Sequence, residues 1–442
     1  MENEEDFFKE QEAQDSILDD AIELSGDKTI SVLPADSALG YLYSLHLTGR
    51  LNVQPPYQRK YVWDNGKASK LIESILMNIP IPMIYLAQTL DGDLNVIDGQ
   101  QRLTSVFKFM SGDFKLSSMK VFPNLKGKSF KELEKKYQNI INDYTVRTNT
   151  FTADSDPELQ YEIFSRLNTG SVQLNTQELR NCVYRGKFNE FIKELALDKD
   201  FLDIFGLSAP SKRMKDVEFV LRFIAFYSNG YQNYKSPIKT FLNETMRRYS
   251  NANETDYKNL RLAFKNAVTN IKSLLGTNCF KRFKVGSQMD KNGEWEQNRF
   301  NAALFDILMD SMARLDPTVV YRHLDSIREA YINLMCESEE FNASITINTS
   351  DKPEVKRRFE IWNNTLNTVI GDDQVEKRCF SRELKEKLYK ENPTCEICKQ
   401  YITSVDDAAV DHVEQYWMGG KTIESNARLT HRYCNWSRSR KE

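Results

Sequence analysis

The 442-residue chain carries 60 Lys and Arg against 63 Asp and Glu, a net charge of −3, with 40% hydrophobic and 28% charged residues. This is the balance of a globular protein of two or three domains, and it argues against a chain that coats nucleic acid indiscriminately. No run of about 18 apolar residues occurs and the N-terminus is acidic, so neither a membrane span nor a secretion signal is expected, and a cytoplasmic location is.

The strongly acidic first 28 residues read as a frayed tail. Ile30 to Leu51 reads as a short extended piece followed by a helix. The stretch PPYQRKYVW, Pro55 to Trp63, is unusual in composition, and its Tyr57 and Trp63 read as packing aromatics. Leu71, Ile72, Ile75, Leu76 and Ile79 recur at helical spacing over Ala68 to Ile79, and Pro80 and Pro82 stop that helix. Ile84 to Ala87 and Leu94 to Ile97, joined at Asp91-Gly92, predict a β-hairpin. Its second run leads into DGQQR, Asp98 to Arg102, and then into a helix bearing Leu103, Val106, Phe107 and Met110.

From about Asp156 to Met335 the pattern is mainly helical. Phe219 to Tyr227 is apolar nearly all round and predicts a buried helix. Leu260, Phe264, Ala267, Val268 and Ile271 mark another helix, and Asn301 to Met312 a third. The polar stretch Glu337 to Pro353 reads as a loop or linker. Helices are expected at Glu354 to Thr368 and Ser381 to Lys390, the second as a packed lead-in to the terminal residues.

A DGQQR turn between strand and helix suits a phosphate. Free N–H groups and the positive end of a helix dipole meet there, and Gly99 lets an anion approach closely. Arg102 offers bidentate pairing with phosphate oxygens, and Asp98 a cation ligand or a helix cap. Strand-turn-helix junctions with Asp-Gly are common, and taken alone these residues favour a purely structural turn.

The last fifty residues hold three of seven cysteines and two of four histidines. Cys395-x2-Cys398 and His431-x2-Cys434 have the spacing of a tetrahedral zinc site, a better use of clustered thiols in a reducing compartment than disulfides. So short a module has little core, so zinc would supply much of its folding free energy. Between the pairs, Ala408 to Val413 reads as a strand ending on Asp411-His412. A Gly-Gly turn at 419–420 and Asn426 follow, then a helix from about Thr430 carrying His431, Cys434 and Asn435. Asp411 and Asn435 offer oxygen ligands for a hard cation such as Mg²⁺ or Mn²⁺. His412 offers a general base. One cation beside one base suffices for phosphodiester hydrolysis. Arg428, Arg432, Arg438, Arg440 and Lys441 make this end basic, as a phosphate-contacting surface or a solvated helix end would be.

Residues 395 to 440 resemble the HNH endonuclease family, in the order C-x2-C, D-H, G-G, N, then x-x-C-N with a basic residue three positions on. The resemblance implies a ββα-metal module with His412 activating water and Asp411 and Asn435 holding the divalent ion. It further implies that Asn426 braces the loop and orients His412, and that Arg438 contacts phosphate. Two departures stand out: His431 replaces a cysteine, and Gln415 stands where a proline is usual.

Upstream, QRKYVW (58–63), IESILMNIPIPMIYL (72–86), VIDGQQRLTS (96–105) and YEIFSRLNTGSVQLNTQELRN (161–181) resemble the DGQQR-type domain of type IV, modification-dependent restriction enzymes. That resemblance spans roughly residues 30 to 335. It implies a ParB/sulfiredoxin-like α+β fold with a helical extension, and nucleotide binding and hydrolysis coupled to DNA cleavage. Asp98, Gly99, Gln100, Gln101 and Arg102 would form the nucleotide site, with Gln58, Arg59, Arg166 and Asn168 as neighbours.

The expected organisation is an acidic tail (1–28), a ParB/sulfiredoxin-like DGQQR domain (29–155), its helical extension (156–336), a linker with connecting helices (337–390) and an HNH module (391–442). The expected function is an anti-phage DNA endonuclease acting on modified DNA under nucleotide triphosphate control, with zinc and Mg²⁺ or Mn²⁺ as cofactors. Cutting both strands with one such module per chain favours a homodimer. Two other readings remain open: a non-catalytic, nucleotide-regulated DNA-binding protein with a zinc scaffold, and a repair or recombination nuclease for structured DNA.

Overall fold

The computed structural model describes residues 31–55, 61–89, 91–167, 174–211, 213–297, 299–371, 379–415 and 420–438. Contacts divide them into two units that meet between Arg185 and Gly186.

The first unit is built on a five-stranded mixed sheet in the order β1 (Val32–Ala38), β5 (Thr145–Phe151), β3 (Ile84–Gln88), β4 (Leu94–Asp98), β2 (Leu51–Asn52). The expected hairpin is the β3–β4 pair. A register irregularity at Tyr85/Leu86 lets Tyr85 face Asp98, the last residue before the turn. Helix α1 (Leu39–Leu47) follows β1, and α2 (Asn65–Leu76) starts where the Asp64 carboxylate accepts from the Lys67 amide at 2.7 Å. That helix ends earlier than the apolar spacing suggests, because Asn78 turns to φ 56° ahead of Pro80 and leaves Ile79 exposed. Helix α3 (Gln100–Ser111) buries Leu103, Val106, Phe107 and Met110 as expected. Strand β5 was not foreseen. It buries Val146 and Thr148 alternately and pairs with β1 along seven residues, a contact between segments over 100 residues apart that no local pattern announces.

Beyond α4 (Lys135–Asp143), helices α5 (Pro157–Leu167) and α6 (Thr176–Val183) stay with this sheet. Phe164 of α5 meets Phe151 of β5 edge-on at 5.0 Å, and the Ser155 hydroxyl donates to Ser31 O at 3.2 Å. Helices do begin near residue 156 as expected, and the first two of them belong with the sheet unit.

The second unit is helical through its core: α7 (Lys187–Ala196), α8 (Lys199–Phe205), α9 (Lys215–Asn229), α10 (Ile238–Arg248), α11 (Glu254–Leu275), α12 (Ala302–Ala313), α13 (Pro317–Arg322) and α14 (Leu324–Glu337). A two-stranded pair, β6 (Phe283–Lys284) and β7 (Glu294–Trp295), lies between α11 and α12 in sequence. Helix α9 is buried from Lys215 to Phe226, and its Arg222 guanidinium donates to buried Asp306 of α12 at 2.9 Å. The stretch 337–353 is not an open linker. It forms α15 (Glu339–Ser344), and Phe341 and Ile345, one turn apart, are buried. The Asn342 side chain satisfies Met335 O at 2.6 Å, so the polar residues here cap backbone within a packed region instead of facing solvent. Helix α16 (Lys352–Gly371) then returns to the core, with Arg358 donating to Asp306 at 2.9 Å and Trp362 Nε1 to Ser311 at 2.8 Å. The chain ends in α17 (Arg382–Glu391), β8 (Ala408–His412), β9 (Ala427–His431) and α18 (Arg432–Arg438). Among the described residues no helix is long and apolar enough to cross a membrane.

Candidate metal centre and active site

Cys395, Cys398, His431 and Cys434 bring one ligand atom each within 4.8 Å of one another. His431 Nδ1 lies 3.3 Å from Cys398 Sγ and 3.9 Å from Cys434 Sγ. Tetrahedral ligands at Zn–S of ~2.3 Å and Zn–N of ~2.0 Å sit roughly 3.5–3.8 Å apart, so the set would close around zinc with shifts of about an ångström or less. The Cys395 knuckle turns through Lys399 at φ 61°, whose amide donates to Cys395 O at 2.8 Å. The Cys434 thiol, and behind it the His431 ring, hold the Cys395 thiol well below its ordinary range against the opposing effect of burial. Thiolate character is what a soft cation requires. On the far side of the ring, His431 Nε2 lies 3.2 Å from both Asn292 Oδ1 and Tyr401 O. Two acceptors there fix the proton on Nε2 and leave Nδ1 to the metal.

His431 was expected on the terminal helix. It is instead the last residue of β9, a strand the sequence reading missed, and α18 starts one residue later. Strand β9 pairs antiparallel with β8, placing Ala408 opposite His431, Asp411 opposite Arg428 and His412 opposite Ala427. The inward face of this small hairpin packs Ala408 and Leu429 with Cys395, Ile402 and Cys434.

The other face-changing residues gather at its far end. The Asp411 carboxylate accepts two hydrogen bonds from Arg428, at 2.9 Å from Nε and 2.6 Å from the terminal nitrogen. His412 is buried beneath the Phe380 ring at 4.4 Å, with Nε2 2.9 Å from the Thr422 hydroxyl. Asn426 grips the intervening loop: its Oδ1 accepts from the Glu414 amide at 2.8 Å, and its Nδ2 donates to Glu414 O at 3.0 Å and Lys421 O at 2.9 Å. Thr422 thus meets the His412 ring, and Asn426 holds the loop that follows. Gly420 is required by close approach, since a Cβ there would meet Glu414 O at 1.8 Å. Asn435 is half-buried on α18. Gly419 and the Arg438 side chain lie outside the described residues.

The module is fastened to the helical core by charge. Glu329 of α14 accepts from Lys385 of α17 at 2.8 Å and pairs with Arg432 of α18 at 3.0 Å. Burial would raise the Glu329 carboxyl, but Arg432 and Lys385 overcome it and lower it from 4.5 to about 2. Asp406, before β8, pairs with Arg328 at 2.7 Å and accepts from Trp295 Nε1 at 3.0 Å. Thr422, Phe380, Glu329 and Asn292 were not singled out as site residues by sequence. Arg428 stood out only as part of the basic end, and the strand pairing puts it across from Asp411.

In the first unit, Asp98 and Arg102 form an ion pair of 2.6 Å across one turn. Arg102 also donates to Pro82 O and, at 3.0 Å, to Met83 O. Gln101 Oε1 accepts from the Val62 amide at 3.0 Å, and the Tyr61 hydroxyl lies 3.0 Å from Ser105 Oγ. The end of the 58–63 motif and the DGQQR turn are therefore in contact. Gly99 has φ 100°, where other residues are strained, and a Cβ there would also press on the tip of the Ile84 side chain at 2.2 Å. Gln100 opens α3, and its Oε1 lies 3.4 Å from Gln101 Nε2. Arg166 pairs with Glu162 of its own helix at 2.9 Å. Gln58, Arg59 and Asn168 lie outside the described residues.

Residues 42–185 match the GmrSD restriction endonuclease N-terminal domain, and residues 395–441 match the HNH endonuclease domain. No curated protein matches the chain. The first match takes in strands β2 to β5 with α5 and α6, starts after β1, and ends at Arg185, where the first unit ends. The second covers the Cys3His cluster, the β8–β9 pair and the terminal helix. The chain thus joins a GmrSD restriction endonuclease N-terminal domain to a C-terminal HNH endonuclease domain, the architecture of a type IV restriction enzyme, and is a nuclease that hydrolyses DNA phosphodiester bonds.

Proposed function

We propose that the HNH module cuts DNA with His412 as the general base, and that the DGQQR domain binds a nucleoside triphosphate that controls cutting of modified phage DNA. The observation that carries the first part is the placement of His412 beside Asp411 at the end of one zinc-braced hairpin, oriented by Thr422. The Thr422 hydroxyl orients the ring at Nε2, and the imidazole takes the proton from water. Asp411 and Asn435 would hold a divalent cation, which steadies charge on the leaving oxygen when bound. Asn426 fixes the loop beside the base, and Arg438 supplies a phosphate contact. The zinc ion is structural, held by Cys395, Cys398, His431 and Cys434.

Plasmid cleavage with Mg²⁺ or Mn²⁺ tests the assignment of the base. The His412→Ala protein is expected to lose about 10²–10⁴ in rate, the usual worth of a positioned base. Equal cutting by both proteins would remove His412 from the mechanism. Comparing unmodified, glucosylated and phosphorothioated DNA, with and without nucleotide, tests selectivity and control, and sizing in solution tests a homodimer.

The ParB/sulfiredoxin-like reading of the first unit is supported by its five-stranded mixed sheet with DGQQR at a strand-to-helix junction. A second reading of that turn is favoured by one observation: Arg102 already binds Asp98 and the 82–83 carbonyls, as a structural brace would. If Arg102→Ala leaves nucleotide binding and phage restriction intact, the turn is a brace.

A further inference from the structure

The helical unit contains a cavity of about 550 Å³ to which neither domain match extends. It opens where the C-terminal ends of α9 and α10 and the first residue of α16 converge, and its walls carry Lys235, Arg247, Arg248 and Lys352. One carboxylate is present, Glu244, and it pairs with Lys235 at 3.6 Å. Among the described residues no carboxylate pairs with Arg247, Arg248 or Lys352. Like charges gathered in a concavity repel one another and focus a positive field, an arrangement suited to an anion.

The site is also built. Arg248 donates to Asn229 Oδ1, and Asn229 Nδ2 is anchored on the buried Thr245 hydroxyl at 3.0 Å. Asn233 Nδ2 donates to Asn229 O at 2.8 Å. This chain of side-chain bonds aims one guanidinium before any ligand arrives, so less freedom is lost on binding. Phe241 supplies an apolar wall, and the amides supply donors and acceptors for hydroxyls or a base edge. Arginine forks match phosphate oxygens bidentately, whereas lysine contributes point charge. The volume lies within the range of sites that hold a nucleotide-sized molecule.

We propose that this cavity binds the phosphate of a nucleotide, presented either by a free nucleoside triphosphate or by a DNA strand. It lies in a different unit from the DGQQR turn, and the proposal stands whether or not that turn binds nucleotide.

The test uses the full chain and two probes, ATP by calorimetry and a fluorescein-labelled duplex by anisotropy. The Arg247→Glu/Lys352→Glu protein is compared with a charge-matched control, Lys258→Glu/Lys265→Glu, on the exposed face of α11. Thermal unfolding verifies that both remain folded. Loss of about tenfold or more in ATP affinity in the first variant alone identifies a free nucleotide as the ligand. Loss in duplex affinity alone, with the salt slope reduced by about 2, identifies strand phosphates. Loss of both supports the shared phosphate chemistry. The proposal is overturned if wild type binds neither probe, if both affinities survive the first variant, or if the control loses as much.

Discussion

The guanidinium of Arg428 holds the Asp411 carboxylate from directly across the strand pair, through two hydrogen bonds to one oxygen. A cation bound by Asp411 must compete with this pair or share the carboxylate with it. Arg428→Ala is therefore expected to tighten Mn²⁺ binding by about tenfold, equivalent to about 1.4 kcal/mol, as read by electron paramagnetic resonance of the free ion. Stability should fall by about 1 kcal/mol or less, because the pair is only partly shielded. Weaker Mn²⁺ binding in the variant would mean that Arg428 helps build the cation site instead of competing for it.

Thr422 holds the ring of the proposed base without touching substrate in the proposal, so it acts as a positioning residue. Thr422→Val removes the hydroxyl at nearly constant volume and is expected to lower the turnover rate by about tenfold while leaving DNA affinity unchanged. Thr422→Ser should restore most of it. A valine variant with wild-type turnover would show that the Thr422 hydroxyl does not orient His412.

The zinc ion is expected at one per chain by metal analysis. Cys398→Ser should lose most of that metal and destabilise the C-terminal residues by several kcal/mol, since the module's own apolar cluster is small. A cooperative unfolding step that disappears on chelation is the corresponding thermal signature. Full zinc content in the serine variant would place the metal elsewhere.

Glu329 makes stability depend on acidity. Its carboxyl lies near 2 in the folded chain against 4.5 when unperturbed, so the unfolded chain binds the extra proton between those values. The stabilisation is complete above about pH 4.5 and is lost as pH falls toward 2. Glu329→Gln is expected to cost about 3 kcal/mol at pH 7, because Arg432 and Lys385 would be left buried without their counter-charge. The difference between wild type and variant should shrink steadily in urea titrations below pH 4.5.

The residues that announce chemistry were the most legible. Cys395, Cys398, His431 and Cys434 do converge, because short fixed spacings force pairs of ligands onto tight turns. The β3–β4 hairpin and the buried faces of α3, α9 and α11 also follow from local periodicity. Strand β5 escaped because its partner β1 lies over 100 residues away, and β9 escaped because a helix was expected from about Thr430, over its last two residues. Missing β9 hid the Arg428–Asp411 relationship and put His431 on the wrong element. The stretch 337–353 looked unstructured because its asparagines and serines bond backbone in a packed region, a use of polar residues that composition does not distinguish from solvation.

The reach of Asn292 from the β6–β7 turn to the ring of His431, together with the ion pairs of Asp406 and buried Arg432, has a consequence for how such a cutter can be exchanged. The terminal module does not behave as a detachable cassette. A chimaera that keeps residues 380–442 but discards their helical host would leave Arg432 without Glu329 and the zinc histidine without one of its two acceptors. A working graft would have to carry the 278–295 and 328–333 segments along with it.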